Sequence, residues 1–439
     1  MNKTHVYCFL LTIVNLIFHE SPLGLIISVP QIIFMCFLLV TNKEYDKILY
    51  FHIMFVFTTL AIPYSQLTNP GEGSMDMYNY SRLKLLGPLA FSQLLLVGLI
   101  GYGILKNGIV RVSPKSKPLS YLLIYFLLSG AVLSFYGLAF NEYSFIKMLT
   151  YFVYISVLVL TLVSVLMLKN TEKIYQLLYS LLLMAPIASV SVYLLGFSSS
   201  YGSSTVPGMT EVAYFSPILI YKMISERKIS YLEVFSVLCC IYLASTGASG
   251  GKGIIVILAV IVLSLITKVT IKRITVLSML VLGFLLMLLF VSYDELYEFN
   301  SLLLYKLESV WLLFNFIFSF NMDMLGILPM SPRVRVIELY LIFQENGKSI
   351  VYFLFGQGFG GWYQDTLGYF SGIDLSSAFS ENEIRTGRFH SAHDFFAILP
   401  FFHGIFGVFF MGGIHLLCIK NKLLIFIPMY YSVFIVHLL

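Results

Sequence analysis

RFHSAHDFFAILPFFHGIFGVFFMGGIHLLC, residues 388–418, passes from a charged segment directly into an apolar run without a single Asp, Glu, Lys or Arg. A helix needs roughly 20 apolar residues to cross a ~30 Å hydrocarbon core, and the run after Asp394 meets that length. Comparable runs recur from one end of the chain to the other. Of the 439 residues, 59% are apolar and only 11% charged, where a soluble domain carries about 25% charged residues. The pattern predicts an all-α, polytopic integral membrane protein. The expected spans are 5–18, 22–40, 48–63, 85–105, 119–140, 146–168, 174–196, 207–222, 231–246, 253–267, 274–292, 394–418 and 423–438, about 12–13 in all. Residues 1–292 then form a helix bundle, 293–393 one long connection with short helices, and 394–439 the last two spans. The first apolar run reads as an uncleaved helix, because no small-residue cleavage site follows it.

The distribution of charge orients these spans. Basic residues gather in alternate connections: Lys43 and Lys47; Lys106, Arg111, Lys115 and Lys117; Lys169 and Lys173; Lys222, Arg227 and Lys228; Lys268, Lys272 and Arg273; Lys420 and Lys422. Cytoplasmic loops show this bias. The N-terminus is therefore expected inside and the 293–393 connection outside, and the net charge of +5 is a topology signal rather than a nucleic-acid footprint. Pro186 and Pro217 should bend their helices where neighbours satisfy the freed carbonyls. Cys8, Cys36, Cys239, Cys240 and Cys418 sit in or beside apolar runs and read as small buried hydrophobes, with no disulfide framework.

The long connection holds the polar chemistry. Ser331-Pro-Arg333-Val-Arg335 opens a short helix expected over 334–343. Gly356-Gln-Gly358-Phe-Gly360-Gly361 is a tight turn, and Arg388, His390, His393 and Asp394 close the segment. Segment 302–320 is expected to lie along the membrane interface. Arginine forks match phosphate oxygens at any relevant pH, which makes Arg333, Arg335 and Arg388 anion-binding candidates. Arg82 and Lys252, at extracytoplasmic helix starts, run against the charge bias and join them. The glycine turn lacks the strand and helix of a dinucleotide fingerprint, so Gly358 is read as bringing backbone amides to a ligand. Lys252 follows Gly251 without P-loop spacing.

Ser391-x-x-Asp394 has the form of a helix N-cap before the apolar run, placing His393 in the first turn of a membrane helix. The positive helix end keeps such a histidine neutral and able to accept a proton. A metal site would need His403 and His415 as well, and these lie several turns along the helix, so none is expected.

In this order, Ser331 and Arg333, the Gly356/Gly358/Gly360 turn, His393-Asp394 and Gly404-Ile405-Phe406-Gly407 resemble the bacterial O-antigen polymerase and O-antigen ligase superfamily. The resemblance covers the C-terminal quarter; Asp394 stands where the family has Asn, and Gly251-Lys252-Gly253 where it has Ser-Arg-Gly. It implies a GT-C-like fold and glycosyl transfer from a polyprenyl-diphosphate-linked oligosaccharide at the outer face of the cytoplasmic membrane. The resemblance implies that neither metal nor other cofactor takes part. The implied partners are that donor, membrane lipid and a chain-length regulator, with no nucleic acid. His393 would be the general base and Arg333 the principal cation, with Arg335, Arg388, Arg82, Lys252, His390, Asp394 and Gly358 contacting diphosphate or glycan. Trp362, Tyr363, Tyr369 and Phe370 would offer ring faces to sugars. The expected activity is polymerase; the alternatives are ligase to lipid A-core and, in a different class, transport of a lipid-linked sugar.

Overall fold

The computed structural model describes residues 3–18, 23–41, 44–59, 79–81, 83–86, 89–107, 117–141, 143–166, 171–195, 219, 230–245, 308, 312, 326–328, 330–375, 379–392 and 395–420. The described chain is mostly helical, with two short antiparallel strand pairs as its sheet content. The helices are α1 (Lys3–Phe18), α2 (Gly24–Thr41), α3 (Tyr45–Phe57), α4 (Phe91–Asn107), α5 (Lys117–Phe140), α6 (Phe145–Leu166), α7 (Thr171–Leu194) and α8 (Tyr231–Ser245). After these come α9 (Met330–Asn346), α10 (Ile350–Phe355), α11 (Glu381–Thr386) and α12 (Phe395–Lys420). The expected spans 207–222, 253–267, 274–292 and 423–438 lie outside the described residues, Leu219 excepted, as does nearly all of 302–320.

Two stretches among the described residues, Gly24–Thr41 and Glu172–Val192, are long and apolar enough to cross a membrane. Shorter apolar helices include Lys3–Phe18, Ile124–Phe140 and Ala397–Phe410. Leucine and phenylalanine on all sides of α2 leave it without an amphipathic stripe. Ile26, Ile33, Phe37 and Val40 stand 59–87% exposed along it.

The fourth expected helix begins later than the sequence suggested. Residues Lys84–Leu86 (β1) pair with Leu89–Ala90 (β2), and α4 starts at Phe91. The antiparallel pairing of Leu86 with Leu89 reverses the chain before α4 begins, where the sequence carries the turn-favouring dipeptide Gly-Pro. Gln93 Oε1 then accepts from Ala90 N at 3.0 Å, serving an amide at the new helix start.

Two apolar cores organise the molecule. The first joins α1, α3 and α7, with Leu177, Leu181 and Val192 of α7 against Cys8 and Leu16 of α1 and Ile48 and Leu49 of α3. Polar pairs tie it: His5 Nδ1 lies 2.8 Å from Ser180 Oγ, and Asn15 Nδ2 donates to Thr58 Oγ1 at 3.1 Å. Helix α7 runs through Pro186, which removes the donor for the Leu182 carbonyl. Ser236 Oγ of α8 meets that carbonyl at 3.5 Å, the neighbour's repair that a proline in an apolar helix calls for. Cys8, Cys239 and Cys240 are buried thiols, whereas Cys36 is exposed on the outward face of α2, because that helix buries little of itself.

The second core gathers α5, α6, α9 and α12 around Phe359, Tyr363, Phe389, Phe401 and Phe402, all 2% exposed or less. It carries the functional candidates that fall among the described residues.

Candidate functional site

The site is built around a break in α12. At Gly404 the backbone takes φ 59° and ψ −158°, a conformation outside the helical range and costly for any residue with a Cβ. A break there takes the carbonyls of residues 400, 401 and 402 from their partners four residues on. Each has another donor: Asn346 Nδ2 at 2.7 Å from Pro400 O, Gln357 N at 2.7 Å from Phe401 O and Gly358 N at 3.1 Å from Phe402 O. The turn after α10 therefore stands in for the missing helical amides. Buried carbonyls left without donors would cost about 1–3 kcal/mol apiece.

This corrects the reading of the glycine turn. Its amides are committed to the protein: Gln357 and Gly358 to α12, and Phe359 N to Ser134 Oγ of α5 at 2.6 Å. Gly358 packs so closely that an added Cβ would lie 2.6 Å from Ser134 N and 2.9 Å from Gly130 O. Gly358 thus joins three helices, and its amide is not available to a ligand. Tyr143 locks the same turn, its hydroxyl 2.6 Å from Gln357 Oε1 and 3.1 Å from Gln357 O.

Beyond the turn, Tyr363–Gln364 (β3) pairs antiparallel with Arg388–Phe389 (β4), Tyr363 opposite Phe389 and Gln364 opposite Arg388. Side chains alternate across a strand, so the ribbon has two faces. Tyr363 and Phe389 point into the core, and the Tyr363 hydroxyl donates to Ser391 O at 3.0 Å with Glu338 Oε1 at 3.4 Å. Burial first, and the Glu338 carboxylate next, push this phenol well above its ordinary range. Trp362, Gln364, Arg388 and His390 fall on the outer face, half-exposed or exposed. Of the four rings expected to meet sugar, Tyr363 and Phe370 are core residues instead, because their strand and turn positions point inward. Trp362 stays available on the outer face, with the Arg388 guanidinium 4.5 Å from its ring centre.

Two residues missed in the sequence complete this face. Glu383 of α11 is buried, and its carboxylate collects Ser380 N at 3.1 Å, Ser380 Oγ at 2.7 Å, His390 N at 3.1 Å and Lys147 Nζ at 3.7 Å. Burial works to raise its pKa, but Lys147 and these donors outweigh it and hold the carboxyl below its usual range. Lys147 belongs to the first turn of α6. On the topology expected from the charge bias it would be an extracytoplasmic lysine, the same anomaly that singled out Lys252. Ser380-x-x-Glu383 is a capping box and was legible as one.

His390 Nδ1 lies 3.0 Å from the carbonyl of Gly361. Burial, then the Lys147 ammonium, push its pKa below the ordinary histidine value, against the opposing pull of Glu383 and the Gly361 and Gly360 carbonyls. Arg333 and Arg335 lie inside α9, which begins four residues before the expected helix start. Two positions apart on a helix means about 200° around its axis, so they leave α9 in nearly opposite directions. The Arg333 Nε is buried without a hydrogen-bond partner among the described residues. His403, considered above as a metal ligand, is buried in α12 and stacked on Phe126 with ring centres 3.7 Å apart. Arg82, Lys252, His393 and Asp394 lie outside the described residues; Ser391 and Ala392 precede α12 as non-helical chain. No family model matches the chain, and neither a curated protein nor a solved structure is detectably similar to it.

Proposed function

We propose that this chain is a multi-pass protein of the bacterial cytoplasmic membrane. In this reading it polymerises a surface glycan, O-antigen or capsule, from polyprenyl-diphosphate-linked repeat units at the outer face. Exposing one large aliphatic or aromatic side chain to water forgoes about 1.5–3 kcal/mol, and α2 and α5 each expose several. Lipid is the solvent that makes such helices reasonable. One observation carries the catalytic part of the reading: Arg388 lies over Trp362, and His390, on the same face of the ribbon, is tied through its backbone to Glu383 and so to Lys147. A cationic, hydrogen-bonding face against apolar helices suits a substrate whose tail is lipid and whose head is glycan.

The chemistry asked of such a face is modest. A lipid diphosphate is an activated leaving group, and its developing charge calls for fixed cations. Arg388 and one of Arg333 and Arg335, which leave α9 in nearly opposite directions, would supply them, with Arg82 and Lys252 from other connections. The attacking sugar hydroxyl is a poor nucleophile at neutral pH and calls for a base from the His390–His393 segment. Trp362 offers an apolar ring edge for the sugar.

The test uses purified, monodisperse protein in detergent with lipid-linked repeat units. A ladder of longer chains is expected, and a protein that elongates nothing overturns the reading. A deletion strain separates the rival within the same chemistry. One repeat unit left on the lipid A-core means polymerase, whereas a bare core means ligase.

A further inference from the structure

We propose that residues 349–363 form a re-entrant loop. Helix α10 dips into the outer half of the bilayer with lipid tails as its partner, and the glycine turn brings the chain back to the same face. The inference rests on the multi-pass membrane reading and is independent of the glycosyl-transfer chemistry.

The stretch Ser349–Gln364 holds no Asp, Glu, Lys or Arg and is bracketed by Lys348 and Asp365. It is too short to cross a membrane, and an apolar run of such length suits a buried helix or a re-entrant one. Helix α10 is not the buried kind. None of its six residues is buried, and Ile350, Val351 and Phe353 are 70%, 46% and 40% exposed. A surface helix in water keeps a polar side. The polar side-chain group of α10 is the Tyr352 hydroxyl, which accepts from Asn141 Nδ2.

Contacts along three helices trace the path. Phe140 ends α5, Phe145 begins α6 and Phe395 begins α12; these ends share one side, since Lys147 reaches Glu383 of the segment ahead of α12. On the way in, Asn346 meets Pro400 O and the Phe355 ring lies 5.3 Å from that of Phe406. Gly356 packs on the backbone from Phe402 to Gly404, nine residues into α12 and about 14 Å along it. Gly358 packs on Gly130 and Ser134, about 9–15 Å from the Phe140 end of α5. Two helices thus agree on a depth near the middle of a ~30 Å core. The chain then climbs. Gly360 packs on Met148, in the first turn of α6, and the Tyr363 hydroxyl reaches Ser391 O ahead of α12.

Hydrocarbon offers no hydrogen bonds, so irregular backbone survives at depth only inside protein. The loop divides accordingly. Its helical part is the exposed part, whereas Gly356–Gly360 are buried. The amides of residues 356, 357, 358 and 359 go to Tyr352 O, Phe401 O, Phe402 O and Ser134 Oγ. At the point of entry Ser349 Oγ accepts from Val351 N at 3.2 Å and caps α10.

The test is thiol labelling of purified, full-length protein in phosphatidylcholine nanodiscs, where a water-soluble maleimide reaches both faces. Cys36→Ser and Cys418→Ser clear the background to the buried Cys8, Cys239 and Cys240. Single cysteines then replace Phe353 or Val351 on α10, Leu367 beyond the loop, and Ile33 on the outward face of α2. A thiol in hydrocarbon does not ionise, so F353C and V351C should react about tenfold or more slowly than L367C, as I33C does. Either α10 variant reacting within about threefold of L367C, while I33C stays slow, overturns the dip alone. L367C as slow as F353C overturns the return to the same face. I33C as fast as L367C overturns the membrane reading and this inference with it.

Discussion

Gly358→Ala tests the central claim that the turn is a structural joint. At φ +75° an alanine sits in the left-handed region, at a cost of about 1–2 kcal/mol. Its Cβ would also meet backbone atoms of α5: Ser134 N at 2.6 Å, Gly130 O at 2.9 Å and Leu133 C at 2.9 Å. Backbone inside a packed helix cannot rotate away as a side-chain tip would, and overpacking of this kind costs about 1–3 kcal/mol. The two contributions together come to about 2–5 kcal/mol. Gly368→Ala provides the internal control. Its φ of +71° is nearly the same, and nothing lies within 4 Å of the added Cβ, so only the first contribution applies. In detergent, the temperature at which monodisperse protein is lost should fall for both variants and clearly further for G358A. Equal losses would refute the close approach of turn and helix, and with it the account of how the break in α12 is satisfied.

Asn346→Leu removes the donor to Pro400 O and should destabilise by about 1–3 kcal/mol in the same assay. Ser134→Ala strips the acceptor from Phe359 N and should lower stability comparably, whereas Ser129→Ala, whose hydroxyl is 3.4 Å from His403 Nδ1, should matter less. Glu383 has a depressed folded-state pKa, so the stability it supplies is present above the ordinary carboxylate value of about 4.3 and fades as pH falls through the folded value. Glu383→Gln should flatten that acid-side loss in a melting series across pH. Arg333→Ala should reduce chain elongation by about 10²-fold while Arg333→Lys recovers part of it, and an unchanged rate would remove Arg333 from the site.

Helix positions were legible because hydropathy is a summed signal. The run ahead of Asn107 and the run from Phe395 onward announce themselves by length and by the absence of charge. What the sequence hid was where a run begins or breaks. The start of α4 at Phe91 and the break of α12 at Gly404 each turn on one or two residues, which a summed signal averages away. The outer face of the ribbon was half legible. Arg388 and His390 stood out as polar residues beside a membrane run, but their partners Lys147 and Glu383 come from elsewhere in the chain. Only pairing of β3 with β4 separates Trp362 from Tyr363, adjacent residues of which one is buried. The Gly356–Gly361 turn was misread for a related reason. Glycines mark where backbones come close, and cannot say whether the approaching backbone belongs to a ligand or to α12.

The break at Gly404 has a consequence for how the protein is made. Residues 346–358, which complete it, leave the ribosome before α12 does, and on the proposed topology they are already across the membrane when α12 arrives. Until that turn docks, the carbonyls of residues 400–402, in the second turn of α12, lack donors, and in a membrane each would cost several kcal/mol. Helix α12 is thus a poor membrane segment alone and a good one against a prefolded neighbour. On that topology, stable insertion of α12 would depend on the 346–358 turn having taken its shape first.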